Sequence, residues 1–357
     1  MTTRQAYLGF NLTDRVGGVT LQKLTAGGDN VIEAWQKYPN KVSRTGGEVD
    51  YEREEKLAKK YGVTILTPVD DDYPAILKET PGAPLVLYVK GNVKALSRPA
   101  VAMVGTRRAT AYGRGEANKL SYDLAQAGWM ILSGLALGID AESHRGALDA
   151  GGVTVGVIGS GLDRFYPEEN RELAREIVEK GGAVVSQFPF GRPADQTTFP
   201  IRNHVVAALA RAVVAVEAPI KSGTLITTSI AADLGRLVMA LPAKVTDRMS
   251  SGCLQLIKQG AAMVRNADDV LELLNPMGLV AAPSKAKKAK APEKDPESPG
   301  YSVEEALVML HVEDEAISID ELVRKTKLAV ERVNALAMSL RLKGFVKFLP
   351  GNRLIKA

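Results

Sequence analysis

Between residues 85 and 264 the chain repeats one unit: a short apolar run, mostly β-branched, then a longer amphipathic stretch. The runs are residues 85–89, 100–104, 129–132, 154–158, 183–186, 212–216, 237–241 and 262–264, and stretches such as 112–126, 168–180 and 224–235 lie between them. A strand that is apolar along its whole length has no solvent face, so it belongs in a parallel sheet covered by helices on both sides. The expected fold class is α/β, a Rossmann-like, doubly wound, mostly parallel sheet. Such sheets bind ligands at the carboxyl ends of their strands. The residues just after each run therefore carry the functional information.

Those strand ends form a set. Run 100–104 ends in Gly105-Thr106-Arg107-Arg108, run 129–132 in Ser133-Gly134 with Gly138 and Asp140 following, run 154–158 in Gly159-Ser160-Gly161. Run 212–216 is followed by Lys221-Ser222-Gly223-Thr224. Small residues, hydroxyls and fixed cations on several turns of one sheet edge are equipment for holding phosphates. At Ser133–Asp140 a buried strand delivers a glycine turn onto a helix N-terminus, which is anion-binding geometry; alternatively Ser-Gly only turns the chain and Asp140 only caps. Phe199, Arg202 and Asn203 add an aromatic, a cation and an amide, and Phe199 either stacks on a base or packs under its loop.

Composition narrows the chemistry. A chain of 357 residues holds two or three units. Its net charge of +5 leans toward an anionic partner. A single cysteine, Cys253, excludes an internal disulfide and a cysteine-rich zinc site, and the cytoplasm is the expected compartment. The first residues lack a leader pattern, and no run reaches the roughly 20 apolar residues of a membrane span. A Gly-x-x-x-x-Gly-Lys-Ser/Thr loop is missing, and Gly159-Ser160-Gly161 runs into Leu162-Asp163-Arg164 without the third glycine of a dinucleotide fingerprint. Neither a P-loop ATPase nor NAD chemistry is indicated, and no cofactor or metal is expected. Asp140 and His144, one helical turn apart, form either an acid-base or metal pair or a hydrogen-bonded helix start. Asp70-Asp71-Asp72 reads as a solvated turn rather than a metal site.

Outside the sheet, residues 1–80 read as a small helical unit. Gly17-Gly18 joins two short helices, either a helix-hairpin-helix that could hold a DNA phosphate or a structural αα-hairpin. Helices are also expected over 31–38 and 52–61, with Gly62 closing the second. Residues 81–275 form the Rossmann-like unit. The Pro-, Ala- and Lys-rich stretch 276–300, with Lys285-Ala286-Lys287-Lys288, reads as a flexible tether. Residues 301–357 read as three helices and a hairpin turning at Pro350-Gly351-Asn352, a winged helix. Its third helix opens with Ala329, Val330, Glu331 and Arg332, a poor set for base readout. Duplex contact through Arg341, Lys347 and Arg353 and a protein-interaction role both fit.

The motifs taken together resemble a known family. Gly105-Thr106-Arg107, the segment Ser133 to Asp140, Gly159-Ser160-Gly161-Leu162-Asp163 with Tyr166-Pro167, Phe199-Pro200-x-Arg202-Asn203 and Ser222-Gly223-Thr224-Leu225-Ile226-Thr227 stand in the order seen in DNA-processing protein A (DprA, also called Smf). The resemblance implies a homodimeric, non-catalytic protein that binds single-stranded DNA and hands it to the RecA recombinase during natural transformation. It places Arg107 and Lys221 in the DNA pocket and carries Phe199, Arg202 and Asn203 with them. The full expected DNA-binding set is Gly105, Arg107, Ser133, Gly134, Gly138, Ser160, Gly161, Phe199, Arg202, Asn203, Lys221, Ser222, Gly223 and Thr224. Thr106 replaces the usual Ser, His204 stands where a second Arg is usual, and Ala243 follows Pro242 where Gly is typical. Leu254 and Ile257, on an apolar helix over 252–259, are the expected dimer contacts. The rival class is a nucleotide-processing enzyme, because the DprA fold resembles the LOG-type phosphoribohydrolases; its ready carboxylates are Glu217 and Asp140.

Overall fold

In the computed structural model, strands of residues 64–263 hydrogen-bond into one sheet that runs through two cores. The structure describes residues 1–14, 16–39, 41–43, 49–275, 303–312, 317–326, 328–343, 345–349 and 353–356. Their contacts divide into two compact units, residues 1–286 and 287–357. The run Lys285-Ala286-Lys287-Lys288, the tether 276–300 and the Pro350-Gly351-Asn352 turn lie outside the described residues, as does the Glu331 side chain.

The strands in chain order are β1 (Thr64–Leu66), β2 (Leu87–Gly91), β3 (Ala100–Val104), β4 (Met130–Ser133), β5 (Thr154–Val157), β6 (Ala183–Ser186), β7 (Ala212–Ala215), β8 (Leu237–Ala240) and β9 (Ala262–Met263). Their spatial order is β1-β2-β6-β5-β4-β3-β7-β8-β9. From β3 to β9 every pairing is parallel, whereas β2 runs antiparallel to both β6 and β1. The doubly wound, mostly parallel sheet read from sequence is therefore present. Every residue of β3, β4, β5, β6 and β7 is buried, which is what strands apolar along their whole length require. The chain builds outward from β3 to β6, then returns to the other side of β3 with β7. The order reverses between β3 and β7, and a doubly wound sheet opens its ligand crevice at such a point.

One strand sits two residues later than the apolar run predicts. Leu85 and Val86 are buried, but they pack among Phe10, Trp35 and Phe190 rather than pairing, and hydrogen bonding to β6 begins beyond them. Apolarity marks burial; the ladder starts only where the neighbouring strand does.

The helices at the start of the chain share this core. Thr3–Leu12, Gly18–Thr25, Val31–Lys37 and Tyr51–Tyr61 pack with Ile65, Val86, Tyr88 and Phe190, and Gly62, at φ +64°, closes the last of them. A Cβ on Gly18 would collide with the Ala83 carbonyl. The glycine hairpin is thus closely packed against the 82–83 loop through Gly18. Asp70 accepts from Arg4 Nη1 at 2.6 Å and from the Thr67 amide at 2.6 Å, so this carboxylate is used in a brace. No cluster able to hold a metal occurs among the described residues.

The second unit has helices Val303–Met309, Ile319–Thr326 and Val330–Leu342 and strands β10 (Ile317–Ser318), β11 (Val346–Leu349) and β12 (Arg353–Lys356), ordered β10-β12-β11. Val308, Leu322, Val333, Leu340 and Leu354 form its core. No described helix is long and apolar enough to cross a membrane.

Candidate functional site

At the reversal point a cleft of about 480 Å³ opens beyond the carboxyl ends of β3, β4 and β7. The β3 turn supplies Gly105 and Arg107, the β4 turn Gly134, helix Thr198–Leu209 Phe199, Arg202 and Asn203, and the loop after β7 Lys221, Ser222, Gly223 and Thr224. These members of the expected set are brought together.

The helix Gly223–Asp233 points its N-terminus into this cleft. It has no acidic residue in its first turn, and its N-cap Ser222 makes no side-chain cap bond. The Ser222 hydroxyl is buried without a partner among the described residues. Free amides, the positive end of the helix dipole and an uncommitted hydroxyl make an anion seat. Around it stand Arg107, Arg108 and Lys221, all exposed and none in an ion pair with another described residue. The guanidinium of Arg107 lies 4.7 Å from the ring centroid of Phe199, a cation–π contact that holds both side chains at the mouth.

The turn after β4 is different. Its amides are already occupied: Asp140 accepts from Gly134 N at 3.1 Å and Ala136 N at 3.3 Å. The helix start that sequence offered as an anion seat therefore holds an internal carboxylate. Asp140 faces Arg202, which is 6% exposed and donates through Nη1 to the carbonyls of Gly134 and of Val157 (2.8 Å), and through Nε to Asn203 Oδ1 (3.0 Å). Burial raises the Asp140 pKa against the Arg202 charge, and burial lowers that of Arg202 against the Asp140 charge. Arg202 thus lines the cleft while its Nη1 braces the ends of β4 and β5.

Ser133, Gly138, Ser160 and Gly161 do not line the cleft. Ser133 Oγ donates to the Met103 carbonyl at 2.6 Å, pinning β4 to β3. Gly138, at φ +77°, lies where a Cβ would strike the carbonyl oxygens of Thr106 and Arg107, so it lets the β3 and β4 turns meet. Ser160 is fully buried, and Gly161 donates its amide to the Arg192 carbonyl at 2.8 Å. Between them Leu135 takes φ +53°, an unusual conformation for a branched residue, and its side chain packs on Gly156 of β5.

Sequence reasoning passed over Gln196, which also lines the cleft, and gave Thr106, Arg108, Ile226 and Thr227 no place in the site although it quoted their turns. Thr227 lies one helical turn beyond Gly223 and Thr224, a spacing that could have found it. Gln196 carried no signal.

Both carboxylates of the rival enzymatic class make structural hydrogen bonds to backbone amides. Glu217 is fully buried and accepts from the Thr110 amide at 2.8 Å, holding the loop after β3 from behind; Asp140 is engaged as above. His144 is no partner for Asp140: it is fully buried and its Nδ1 stands 2.7 Å from Thr154 Oγ1.

Residues 64–275 match the family model of DNA recombination-mediator protein A, and residues 289–352 that of the DprA winged helix domain. The Smf protein of Synechocystis is 31% identical over 98% of both chains. DNA processing protein DprA of Streptococcus pneumoniae is 41% identical over 57% of this chain and 71% of its own. The crystal structure of the latter superposes with a TM-score of 0.62 at 32% identity, covering 76% of this chain and 98% of that one. A Helicobacter pylori DNA processing protein A, solved for its single-stranded DNA binding mode, superposes at 0.55 with 28% identity, covering 61% of this chain and 97% of its own. With its switch-point cleft, its winged helix and these matches along most of its length, the chain belongs to the DNA-processing protein A (DprA/Smf) family.

Proposed function

We propose that this protein is a non-catalytic recombination mediator, which binds single-stranded DNA in the switch-point cleft and passes it to RecA during natural transformation, in the cytoplasm and as a homodimer. The observation that carries the reading is the convergence of Arg107, Arg108 and Lys221, without carboxylate partners among the described residues, on the bare N-terminus of helix Gly223–Asp233. Phosphates fit that seat regardless of sequence, because backbone contacts carry no base information. The Helicobacter relative was solved for binding the same class of ligand. Gly105 lets the β3 turn pass close over Ile139, and Gly134 leaves room for the Arg202 and Asp140 side chains, with Phe199 lining the cleft. Ser133, Gly138, Ser160, Gly161 and Arg202 act by shaping the turns. In the second unit Lys347 and Arg353, on one face of the β11–β12 ladder, are the candidates for duplex contact, while Arg341 stands 5.4 Å from the Phe348 ring on the other face.

Fluorescence anisotropy with matched single- and double-stranded oligonucleotides across a salt series tests this. Three neutralised phosphates give a slope of log K against log salt of about −2 for single strands, from roughly −0.7 per contact. Arg107→Ala or Lys221→Ala should each reduce the slope by about 0.7. Equal affinity for duplex, or wild-type slopes in both variants, defeats the reading.

A further inference from the structure

Helix Gly18–Thr25 begins without a cap. Its N-cap is Gly17, which has no side chain to offer, and its first turn carries no acidic residue. The Gly17 carbonyl takes the Leu21 amide, whereas the amides of Gly18, Val19 and Thr20 have no hydrogen-bond partner among the described residues. This helix start lines a cavity of about 350 Å³, together with the loop before β2, the end of β6 and helix Thr198–Leu209. From the end of β6 comes Gln187, whose Nε2 is buried without a partner among the described residues. No carboxylate is among the described residues that line the cavity. A buried donor left unpaired costs stability, so a set of them facing one cavity points to an acceptor that binds there.

Close packing fixes this helix start. A Cβ on Gly18 would strike the Ala83 carbonyl, and one on Gly82 would meet Val19 Cγ2, so two bare glycines let the hairpin settle on the loop before β2. Gly17 is exposed, and nothing lies within 4 Å of a Cβ placed on it. Helix Thr198–Leu209 separates the cavity from the switch-point cleft: Phe199, Asn203 and Val206 face the cleft, Ile201 and His204 the cavity. At about 100° per residue these are opposite sides of one helix, roughly 10–12 Å across with its side chains. Val19 and Ile201 are exposed, so the cavity is reached from solvent. Burial lowers the His204 pKa, against the raising effect of its bond to the Pro81 carbonyl, so at neutral pH the cavity offers uncharged donors.

We propose that this cavity is a second anion seat, in which the amides of Gly18, Val19 and Thr20 and Nε2 of Gln187 hold a phosphodiester of the strand that occupies the switch-point cleft. The inference rests on the single-strand reading above and deepens it, because it carries the strand across helix Thr198–Leu209 to the helical unit at the start of the chain. At a stacked rise of roughly 3.4 Å per nucleotide, about three to four nucleotides span that helix. Helix amides recognise the backbone and carry no base information. Since they bring no cation, they add affinity without steepening the salt dependence.

The full chain is titrated by fluorescence anisotropy with labelled oligo-dT of increasing length. Wild-type affinity should step up by about tenfold, the worth of a hydrogen bond to a charged group, once the strand outgrows the cleft by about three to four nucleotides. The salt slope should not change across the step. Gly17→Asp supplies the missing cap, and its carboxylate takes the free amides, so this variant should melt no lower than the wild type and lose the step. Gln187→Met keeps the bulk and removes the unpaired amide, with the same two outcomes. The shortest strand that binds should bind all three proteins alike. A wild type without a step, a step kept in either variant, or a step lost only where the melting temperature falls overturns the second seat alone. A wild type that binds no single strand overturns the single-strand reading, and the seat with it.

Discussion

Arg202 donates through Nη1 to the carbonyl of Val157 at 2.8 Å, and the same nitrogen reaches the carbonyl of Gly134. One side chain of helix Thr198–Leu209 thereby ties the ends of β4 and β5 together and fixes where Phe199 stands. Asp140 closes the arrangement from the opposite side by accepting the amides of Gly134 and Ala136. The cleft owes its shape to the hydrogen bonds that these two buried, opposite charges make to its turns, while its binding charge comes from other residues. Shape and affinity can therefore be separated by mutation.

Removing Asp140 takes a nearby negative charge from the buried Arg202 guanidinium and leaves the Gly134 and Ala136 amides without their acceptor, and a hydrogen bond to a charged group is worth about 1.5–3 kcal/mol. Asp140→Ala should show that loss in urea unfolding, with weaker DNA binding following from the melted turn. Arg107→Ala and Lys221→Ala, at exposed positions, should unfold at the wild-type midpoint. An Asp140→Ala midpoint close to wild type would remove Asp140 from its bracing role.

The approach of the β3 and β4 turns depends on Gly138. Its φ of +77° is costly for an L-residue, and an added Cβ would meet the Thr106 and Arg107 carbonyl oxygens. Gly138→Ala should destabilise by more than about 1 kcal/mol and weaken single-strand binding in parallel, because the shift falls on Arg107. Gly115 is the control: it lies inside helix Ala111–Gln126 with nothing within 4 Å of a Cβ. Gly115→Ala should stabilise by roughly 0.5–1 kcal/mol. If thermal melts give the two variants the same sign, the contact is unimportant.

Much of this arrangement was legible in the sequence. Strands β3 to β7 declared themselves because burial on both faces demands apolar residues throughout. Lys221-Ser222-Gly223-Thr224 declared itself because a cation, hydroxyls and a glycine at a strand end have few structural uses. The inward turn of Ser133 was hidden, since whether a hydroxyl meets a ligand or the Met103 carbonyl depends on the pleat of β4. Asp140 was hidden for a related reason: a carboxylate in a first helical turn caps or binds according to the direction of its own loop, which the Leu135 conformation sets. Tyr166 stands far from Phe199 in the chain, and only the folding of two loops over one sheet edge brings the rings together.

Helix Ser251–Lys258 turns Gly252 and Cys253 inward and leaves Leu254, Leu256 and Ile257 half-buried. Leu256 and Ile257 rest against the sheet core, whereas Leu254 does not belong to that cluster. If this face meets a second copy, as the dimer reading holds, Leu254→Glu should give folded monomers by light scattering. Ile257→Glu should also cost stability, because part of its surface is core. A Leu254→Glu variant that remains dimeric would move the interface elsewhere.

His144 makes the stability of the sheet depend on pH. Thr154 Oγ1 donates to the Ile131 carbonyl at 2.7 Å, so its one proton is used and it accepts from His144 Nδ1 at 2.7 Å. The neutral imidazole thereby carries its proton on Nδ1, and Nε2 is buried without a partner among the described residues. Burial first, and the Arg145 charge second, push the pKa down to about 3. The unfolded chain takes up this proton near pH 6.5 while the folded chain does not, so the unfolded state binds more protons between those values. Stability from this group is complete above about pH 6.5 and falls as the pH drops toward 3, at up to about 1.4 kcal/mol per unit. His144→Gln, which can still donate to Thr154 and does not titrate, should gain on the wild type by about 2–3 kcal/mol between pH 7 and pH 4.5 in urea unfolding. Parallel curves for the two proteins would show that His144 titrates alike in both states and that its burial is relieved before the chain unfolds.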